Sequence, residues 1–194
     1  MVIRINPDGT ESVLFFRQGE EDGVFSNFFP SPIRAEIFSR LGTGGEPTND
    51  SVSLGTYDFP TAEHLFQALK FSQSQESWDR HVVRGILNFT LLPHLRDAGA
   101  MKREVRLRKA LWREDWEDRA SEDGRDGYNL RAMRFTLLTK FEDDRLKRDL
   151  LETGSKEIIE NTADAHEARN RDSFWGNARQ ENGRPGLNWL GRLL

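Results

Sequence analysis

The sequence predicts an α+β fold: one compact domain over residues 1–194, mostly helical, with a small antiparallel β portion near the N-terminus. Two observations predict it. Short apolar runs bounded by Gly, Pro, Asn or Asp fill the chain up to residue 59, as strands do. From residue 60 onward, apolar residues recur at the helical spacing of three and four. The length is sufficient for a single domain with its own core.

The strands are expected where the apolar runs lie, at residues 13–16, 24–29, 33–38 and 52–59. Between the last two, residues 39–55 are rich in Gly, Thr, Ser, Asn and Pro. This composition predicts a hairpin excursion or a flexible loop inserted into the domain.

The helices begin at Thr61, whose side chain is suited to cap a helix that follows it. Further helices are predicted at residues 75–87, 98–118, 129–141 and 144–152. Residues 121–127 form a polar insertion between two of them, and Ile158-Ile159 predicts a short strand.

Composition excludes several classes of protein. The chain has no cysteine, which removes disulfides, thiolate nucleophiles and cysteine-ligated metals, and its four histidines match no metal-binding motif. A net charge of -4 does not favour non-specific duplex binding. No signal peptide or membrane span is predicted. Neither a P-loop nor a dinucleotide-binding glycine motif is present, so we expect no cofactor and no metal. The expected protein is soluble and intracellular, cytoplasmic or, in a eukaryote, nuclear.

The first candidate constellation is a stripe of Glu63, Gln67 and Lys70, which share one face of the predicted helix. The helix dipole stabilises a carboxylate in the first turn, so Glu63 is a candidate base. The alternative is a solvated face with an ordinary acid–lysine pair.

Two other clusters could line a pocket. An acid and an aromatic residue precede a glycine in residues 172–176, and residues 25–30 place Ser26 and Asn27 between aromatic rings. Such groups suit a pocket rim, but they also suit core rings and turn caps. Trp112 and Trp116 lie on a stretch rich in arginine, which suits either a nucleotide or a buried flank.

A series of motifs from about residue 15 to the end, taken in chain order, resembles the NADAR (YbiA-like) family. They are Phe25-Ser26-Asn27-Phe28, Pro60-Thr61-Ala62-Glu63-His64, Gln67-Ala68-x-Lys70-Phe71, Trp116-Glu117, Met133, Lys140-Phe141, Asp172-x-x-Trp175-Gly176 and Gly186-x-Asn188-x-Leu190-Gly191. The two insertions at residues 39–55 and 121–127 look longer than in compact bacterial members.

The resemblance implies an α+β domain that hydrolyses N-glycosidic bonds to ribose. Members are described as removing ADP-ribose from modified guanine, or as cleaving phosphoribosylamino-pyrimidine intermediates of riboflavin synthesis. By motif match, the catalytic residues are Glu63, Lys70, Asp172 and Trp175. The expected substrate-binding residues are Ser26, Asn27, Phe28, His64, Gln67, Trp116, Gly176 and Asn188, with Trp112 as an alternative to Trp116.

Two mechanisms suit these residue types. In direct hydrolysis, Glu63 activates water or moves a proton and Asp172 holds ribose hydroxyls or stabilises charge. In a covalent route, Lys70 forms a Schiff base with the sugar. Trp175 and Trp116 would stack on a base. The net charge and the lack of a fused synthesis domain favour ADP-ribosylated guanine, in DNA, RNA or a nucleotide, over the riboflavin intermediate. A non-catalytic ADP-ribose-binding module is the alternative from another class.

Overall fold

The packing of the Cα atoms divides the chain into two units. The first unit comprises residues 1–29 and 141–194, and the second comprises residues 30–140. The structure, a computed structural model, describes residues 3–6, 8–15, 23–117, 127–162, 175–176 and 187–194. Helices alternate with small sheets, as expected of the α+β class.

The regular elements have the following bounds. The strands are β1 (Ile3–Ile5), β2 (Glu11–Phe15), β3 (Ile33–Phe38), β4 (Ser53–Phe59) and β5 (Glu157–Glu160). The helices are α1 (Ala62–Ala68), α2 (Gln75–Trp78), α3 (Ala98–Leu107), α4 (Tyr128–Lys140), α5 (Asp144–Glu152) and α6 (Trp189–Leu193), and a π-helix (Asp79–Ile86) continues α2.

The first unit has a three-stranded sheet in the order β1-β2-β5. β1 is antiparallel to β2, whereas β2 is parallel to β5 with Val13 opposite Ile158. Helix α6 packs against β5, and the rings of Phe15, Phe25 and Phe141 contact one another in the core.

The second unit is built on the antiparallel hairpin of β3 and β4, in which Ile33 lies opposite Phe59. The inward residues Ile33, Ala35 and Ile37 are buried and alternate with exposed ones, as the pleat requires. Helix α1 packs against α3 and α4, and α4 also contacts β3. This packing buries α1 on all sides.

Several elements differ from the sequence prediction. Residues 24–29 do not form a strand, because Ser26 closes a local turn: its hydroxyl accepts a hydrogen bond from the Phe28 N–H and its carbonyl accepts one from the Phe29 N–H. The predicted helix at 98–118 ends at Leu107 and gives way to two 3₁₀ turns. The Trp112 indole N–H then donates to the Val105 carbonyl at the end of α3.

The loop between β3 and β4 is a hairpin excursion that packs on α4. Its backbone forms a bridge between Leu41 and Pro47. Gly45 has φ +93°, and a Cβ atom there would lie 2.7 Å from the backbone nitrogen of Phe135, so the close approach requires glycine. Arg134 donates to the Thr43 carbonyl. Of the insertion at residues 121–127, only Gly127 lies within the described residues.

Within the described ranges, no helix is long and apolar enough to cross a membrane.

The buried Lys140 of α4 predicts a pH-dependent stability. Burial lowers the pKa of its ammonium group to about 7, from a usual value of 10.5. Between these values the unfolded chain holds a proton that the folded chain has lost, so stability rises with pH. Relative to Lys140→Met, we expect the wild-type free energy of unfolding to rise by about 1.4 kcal/mol per pH unit above pH 7. Urea titrations of both proteins at pH 7, 8 and 9 test this, and a constant difference contradicts it.

Candidate functional site

Helix α1 holds the first candidate residues in fixed positions. Thr61 is extended and caps the helix, its side-chain oxygen accepting a hydrogen bond from the His64 N–H at 3.3 Å. All seven residues of α1 are buried, and a 3₁₀ turn (Leu69–Phe71) continues the helix to Lys70. The predicted stripe is therefore held on a rigid, fully packed segment.

Glu63, Gln67 and Lys70 form a continuous hydrogen-bond chain. The Gln67 amide donates from Nε2 to Glu63 Oε1 at 2.8 Å, and its Oε1 accepts from Lys70 Nζ at 2.6 Å. These contacts fix the orientation of the amide, because its nitrogen can only donate and its oxygen can only accept. The three side chains are buried, so the alternative of a solvated acid–lysine face is wrong.

Aromatic rings surround the Lys70 ammonium group. Its Nζ lies 3.8 Å from the ring centroid of Trp112, 5.4 Å from that of Trp116 and 5.9 Å from that of Phe66. All three distances fall within the range of cation–π attraction. The rings thus favour a positive charge at this nitrogen, whether it belongs to an ammonium or to a protonated Schiff base.

Glu63 keeps one carboxylate oxygen available. Oε1 accepts from Gln67 and lies 3.6 Å from Lys102 Nζ on α3. Among the described residues, no donor contacts Oε2. Lys102 was missed by the sequence analysis, because only the packing of α3 on α1 brings it to this carboxylate. Within the described ranges, the arrangement leaves Oε2 for a water molecule or a substrate proton.

The ring of His64, which was predicted to bind substrate, contacts two protein atoms. Its ring is fully buried; Nε2 lies 2.9 Å from the Leu95 carbonyl and Nδ1 lies 2.8 Å from Thr61 Oγ1. Since a carbonyl oxygen only accepts, Nε2 carries the proton and Nδ1 accepts from Thr61. Burial lowers the pKa of His64, so the ring is neutral at pH 7. Both ring nitrogens are engaged by protein atoms, and His64 acts in the core.

Trp112 lies closer to Lys70 than Trp116, the tryptophan that the motif match favours. Trp116 is 5% exposed and packs against Phe66 and Tyr128, which leaves little of its ring for a substrate. Trp112 is half-buried and its ring lies closest to Lys70. Trp112 was given as an alternative to Trp116 in the sequence analysis. The periodicity did not predict that α3 ends at Leu107, which places the Trp112 indole beside Lys70.

Four more of the predicted residues that the structure describes belong to the first unit. Ser26 and Asn27 are buried and Phe28 is partly buried in the turn after the 3₁₀ segment Gly23–Phe25. Trp175 is partly buried, and its carbonyl accepts a hydrogen bond from the Leu190 N–H. Asp172 lies outside the described residues. The binding or catalytic roles of these residues remain predictions.

Gly176 and Asn188 are occupied by structural contacts. A Cβ on Gly176 would lie 2.3 Å from Thr162 Oγ1, so the glycine permits close packing. The Asn188 amide donates to the Ile158 carbonyl at 2.9 Å and accepts from the Glu160 N–H at 3.0 Å, which links α6 to β5. Both residues were expected to bind substrate. The polar atoms of the Asn188 side chain form hydrogen bonds with the backbone of β5.

Asn188 is therefore expected to matter for stability. It has the left-handed backbone conformation, with φ 47°, in which alanine is strained. We expect Asn188→Ala to lower the free energy of unfolding by about 2–4 kcal/mol, from two unpaired backbone groups and this strain. Chemical denaturation measures it. Asn188→Gly removes the same hydrogen bonds without the strain and should cost about 1 kcal/mol less; a loss below 1 kcal/mol in both variants contradicts the assignment.

Within the described ranges, no group of three or more His, Asp or Glu side chains is placed to hold a metal ion.

Comparison with known proteins identifies the family. The family model of the NADAR domain matches residues 14–194, which is nearly the whole chain and includes all of the second unit. The chain belongs to the NADAR family. The family resemblance expected from the ordered motifs is thereby confirmed.

Two relatives of this NADAR chain are informative. This chain is 27% identical over 192 residues to the chloroplastic riboflavin biosynthesis protein PYRR of Zea mays. The aligned region is 98% of this chain but only 25% of that protein. The chain thus spans about a quarter of the length of this curated relative. The NMR structure of the E. coli protein YbiA is similar with a TM-score of 0.53 and 24% identity, covering 93% of this chain and 79% of that one. The second likeness shows a YbiA-like NADAR fold.

Proposed function

We propose that this NADAR domain is an N-glycosidase that cleaves a ribosyl C–N bond, with Lys70 and Glu63 as its catalytic residues. The observation that carries the proposal is the buried chain from Lys70 through Gln67 to Glu63, beside aromatic rings. An amine and a carboxylate held by one amide supply a nucleophile and a proton carrier at a fixed separation.

The covalent route accounts for both groups. A ribosylamine opens to an iminium ion at C1 when its ring oxygen takes a proton from the Lys70 ammonium group, and this transfer leaves the Lys70 amine neutral. The neutral Lys70 amine adds to C1, and Glu63 takes a proton from Lys70 and returns it to the nitrogen of the leaving base. That base departs with the electrons of the C1–N bond, which leaves a Schiff base on Lys70. Water then adds to C1 and releases the sugar and the free lysine.

Direct hydrolysis uses the same carboxylate differently. Glu63 Oε2 accepts a proton from a water molecule that attacks C1, and the Lys70 ammonium protonates or neutralises the leaving base. Lys102 Nζ, 3.6 Å from Glu63 Oε1, places a positive charge beside the carboxylate in this route. Asp172 and Trp175 keep the roles expected from the family motif.

The first substrate that we propose is guanine carrying ADP-ribose, in a nucleotide or in DNA or RNA. The half-buried indole of Trp112 beside Lys70 supports it, since a purine stacks well on such a ring. A second candidate is a phosphoribosylamino-pyrimidine of riboflavin synthesis. The similarity to a riboflavin biosynthesis protein over 98% of this chain favours that candidate.

A timed incubation with both substrates tests the proposal. Purified protein is mixed with an ADP-ribosylated guanine oligonucleotide or with the phosphoribosylamino-pyrimidine, and free ADP-ribose or ribose phosphate is measured. Release of ADP-ribose alone supports the first substrate, and release of ribose phosphate alone supports the second. Release from neither contradicts the N-glycosidase and leaves an ADP-ribose-binding module.

A further inference from the structure

A cavity of about 960 Å³ lies in the second unit, beside the Lys70 turn. Three segments form most of its wall: the loop after β3, the residues from Gln73 to His81, and the 3₁₀ region from Ala110 to Asp115. Glu63, Gln67 and Lys70 are not among the residues that line it. The proposed function therefore leaves this cavity unexplained.

Two residues connect the cavity wall to Lys70. The Trp112 ring lines the cavity and lies 3.8 Å from Lys70 Nζ. The next residue, Arg113, donates its backbone N–H to the Lys70 carbonyl at 2.8 Å. Trp112 thus contacts Lys70 and also lines the cavity.

Four arginines line the cavity, and two of them are committed to the fold. Arg113 is buried, forms a bidentate pair with Asp115, and donates to Ser72 Oγ and the Ser39 carbonyl. Arg131 donates to the Leu41 carbonyl. These contacts hold the wall together.

Arg40 and Arg80 are placed differently. Arg40 pairs with Asp50, and Arg80 of the π-helix pairs with Glu76; in both pairs each side chain is more than 60% exposed. Exposed ion pairs contribute less than about 1 kcal/mol, so an incoming anion displaces the carboxylates at little cost. Guanidinium groups also match the geometry of phosphate oxygens, to which they donate two parallel hydrogen bonds.

We propose that the cavity binds the phosphate groups of the nucleotide substrate, with Arg40 and Arg80 as phosphate ligands and Trp112 as the partition from Lys70. The inference rests on the proposed function, because it assumes a substrate that reacts at Lys70. It assigns the β3–β4 loop a role in substrate choice, since Arg40 belongs to the insertion that the sequence marks as longer. The volume of the cavity is at the upper end for ligand pockets and accommodates a dinucleotide-sized ligand.

Equilibrium binding tests the inference without turnover. Isothermal titration calorimetry is carried out with ADP-ribose, and separately with an unmodified single-stranded oligonucleotide. We expect Arg40→Gln and Arg80→Gln each to weaken binding about tenfold, as loss of a charged hydrogen bond does. The matched control is Arg34→Gln, because Arg34 forms the same kind of exposed pair, with Asp58, outside the cavity lining. It should change affinity less than twofold.

The competing carboxylates give a test of opposite sign. Asp50→Asn and Glu76→Gln release the two guanidinium groups, so binding should tighten a few-fold. If the arginine variants weaken the binding of ADP-ribose, the cavity binds the phosphates of ADP-ribose. If they weaken the binding of the oligonucleotide, the cavity binds the phosphates of the nucleic-acid strand. Unchanged affinity of both arginine variants for both probes overturns the inference, as does weaker binding by the carboxylate variants. Arginine-dependent binding by a protein that cleaves neither substrate instead contradicts only the proposed function.

Discussion

Replacing Lys70 with arginine is expected to lower turnover on the order of 10³-fold or more. Arginine keeps a positive charge beside Trp112 and a donor for Gln67 Oε1. Its guanidinium group does not lose a proton in proteins, so it cannot add to C1 of a sugar. The measurements are initial rates and the mass of wild-type protein quenched with substrate and borohydride, which should show a sugar adduct on Lys70.

A control separates this chemistry from a general effect of the substitution. Lys147 lies exposed on α5, and Lys147→Arg should react at the wild-type rate. Turnover of Lys70→Arg within about tenfold of wild type would rule out the covalent route. An adduct on a different lysine would do the same. In either case direct hydrolysis by Glu63 would be the remaining mechanism.

Replacing Glu63 with glutamine is expected to lower turnover about 10²–10⁴-fold, the usual contribution of a general acid–base group. The amide retains an oxygen that accepts from Gln67 Nε2, but it does not carry a proton between atoms. Both routes require that transfer. The rate is measured under saturating substrate, and ADP-ribose affinity is measured beside it and should stay within a few-fold.

The matched control for Glu63 is Glu104→Gln. Glu104 of α3 pairs with Arg108, the residue that follows this helix, and is not among the contacts of Glu63, so its loss should leave the rate unchanged. If Glu63→Gln keeps full turnover, both mechanisms fail together. If it loses activity and affinity in equal proportion, Glu63 is a binding residue and the base lies elsewhere.

The stripe of Glu63, Gln67 and Lys70 was predictable because its geometry is local. A spacing of four and then three residues places Glu63, Gln67 and Lys70 on one helical face, and the 3₁₀ turn after α1 preserves that alignment. The strands of the β3–β4 hairpin were predictable for a similar reason, since alternation and a Gly-rich loop are properties of adjacent residues.

The surroundings of the stripe depend on tertiary packing and were not predictable. Nothing near Lys102 in the sequence indicates that α3 will bring it to Glu63. The periodicity of residues 98–118 predicts one helix, yet the bond from Trp112 to the Val105 carbonyl replaces its continuation. Likewise, the hydrogen-bond partners of Asn188 in β5 lie 28 and 30 positions earlier in the chain. The local sequence therefore does not show that this side chain binds the backbone of a strand.

The parallel pairing of β2 with β5 has a consequence for biosynthesis. Ser12 pairs with Glu157 and Phe15 with Glu160, so every residue up to Glu160 must leave the ribosome before the whole ladder can form. Until then the edge of β2 that later pairs with β5 is unpaired, and Val13 and Phe15 of this strand are apolar. During that interval the nascent chain is most exposed to aggregation, and chaperone binding at this edge would protect it.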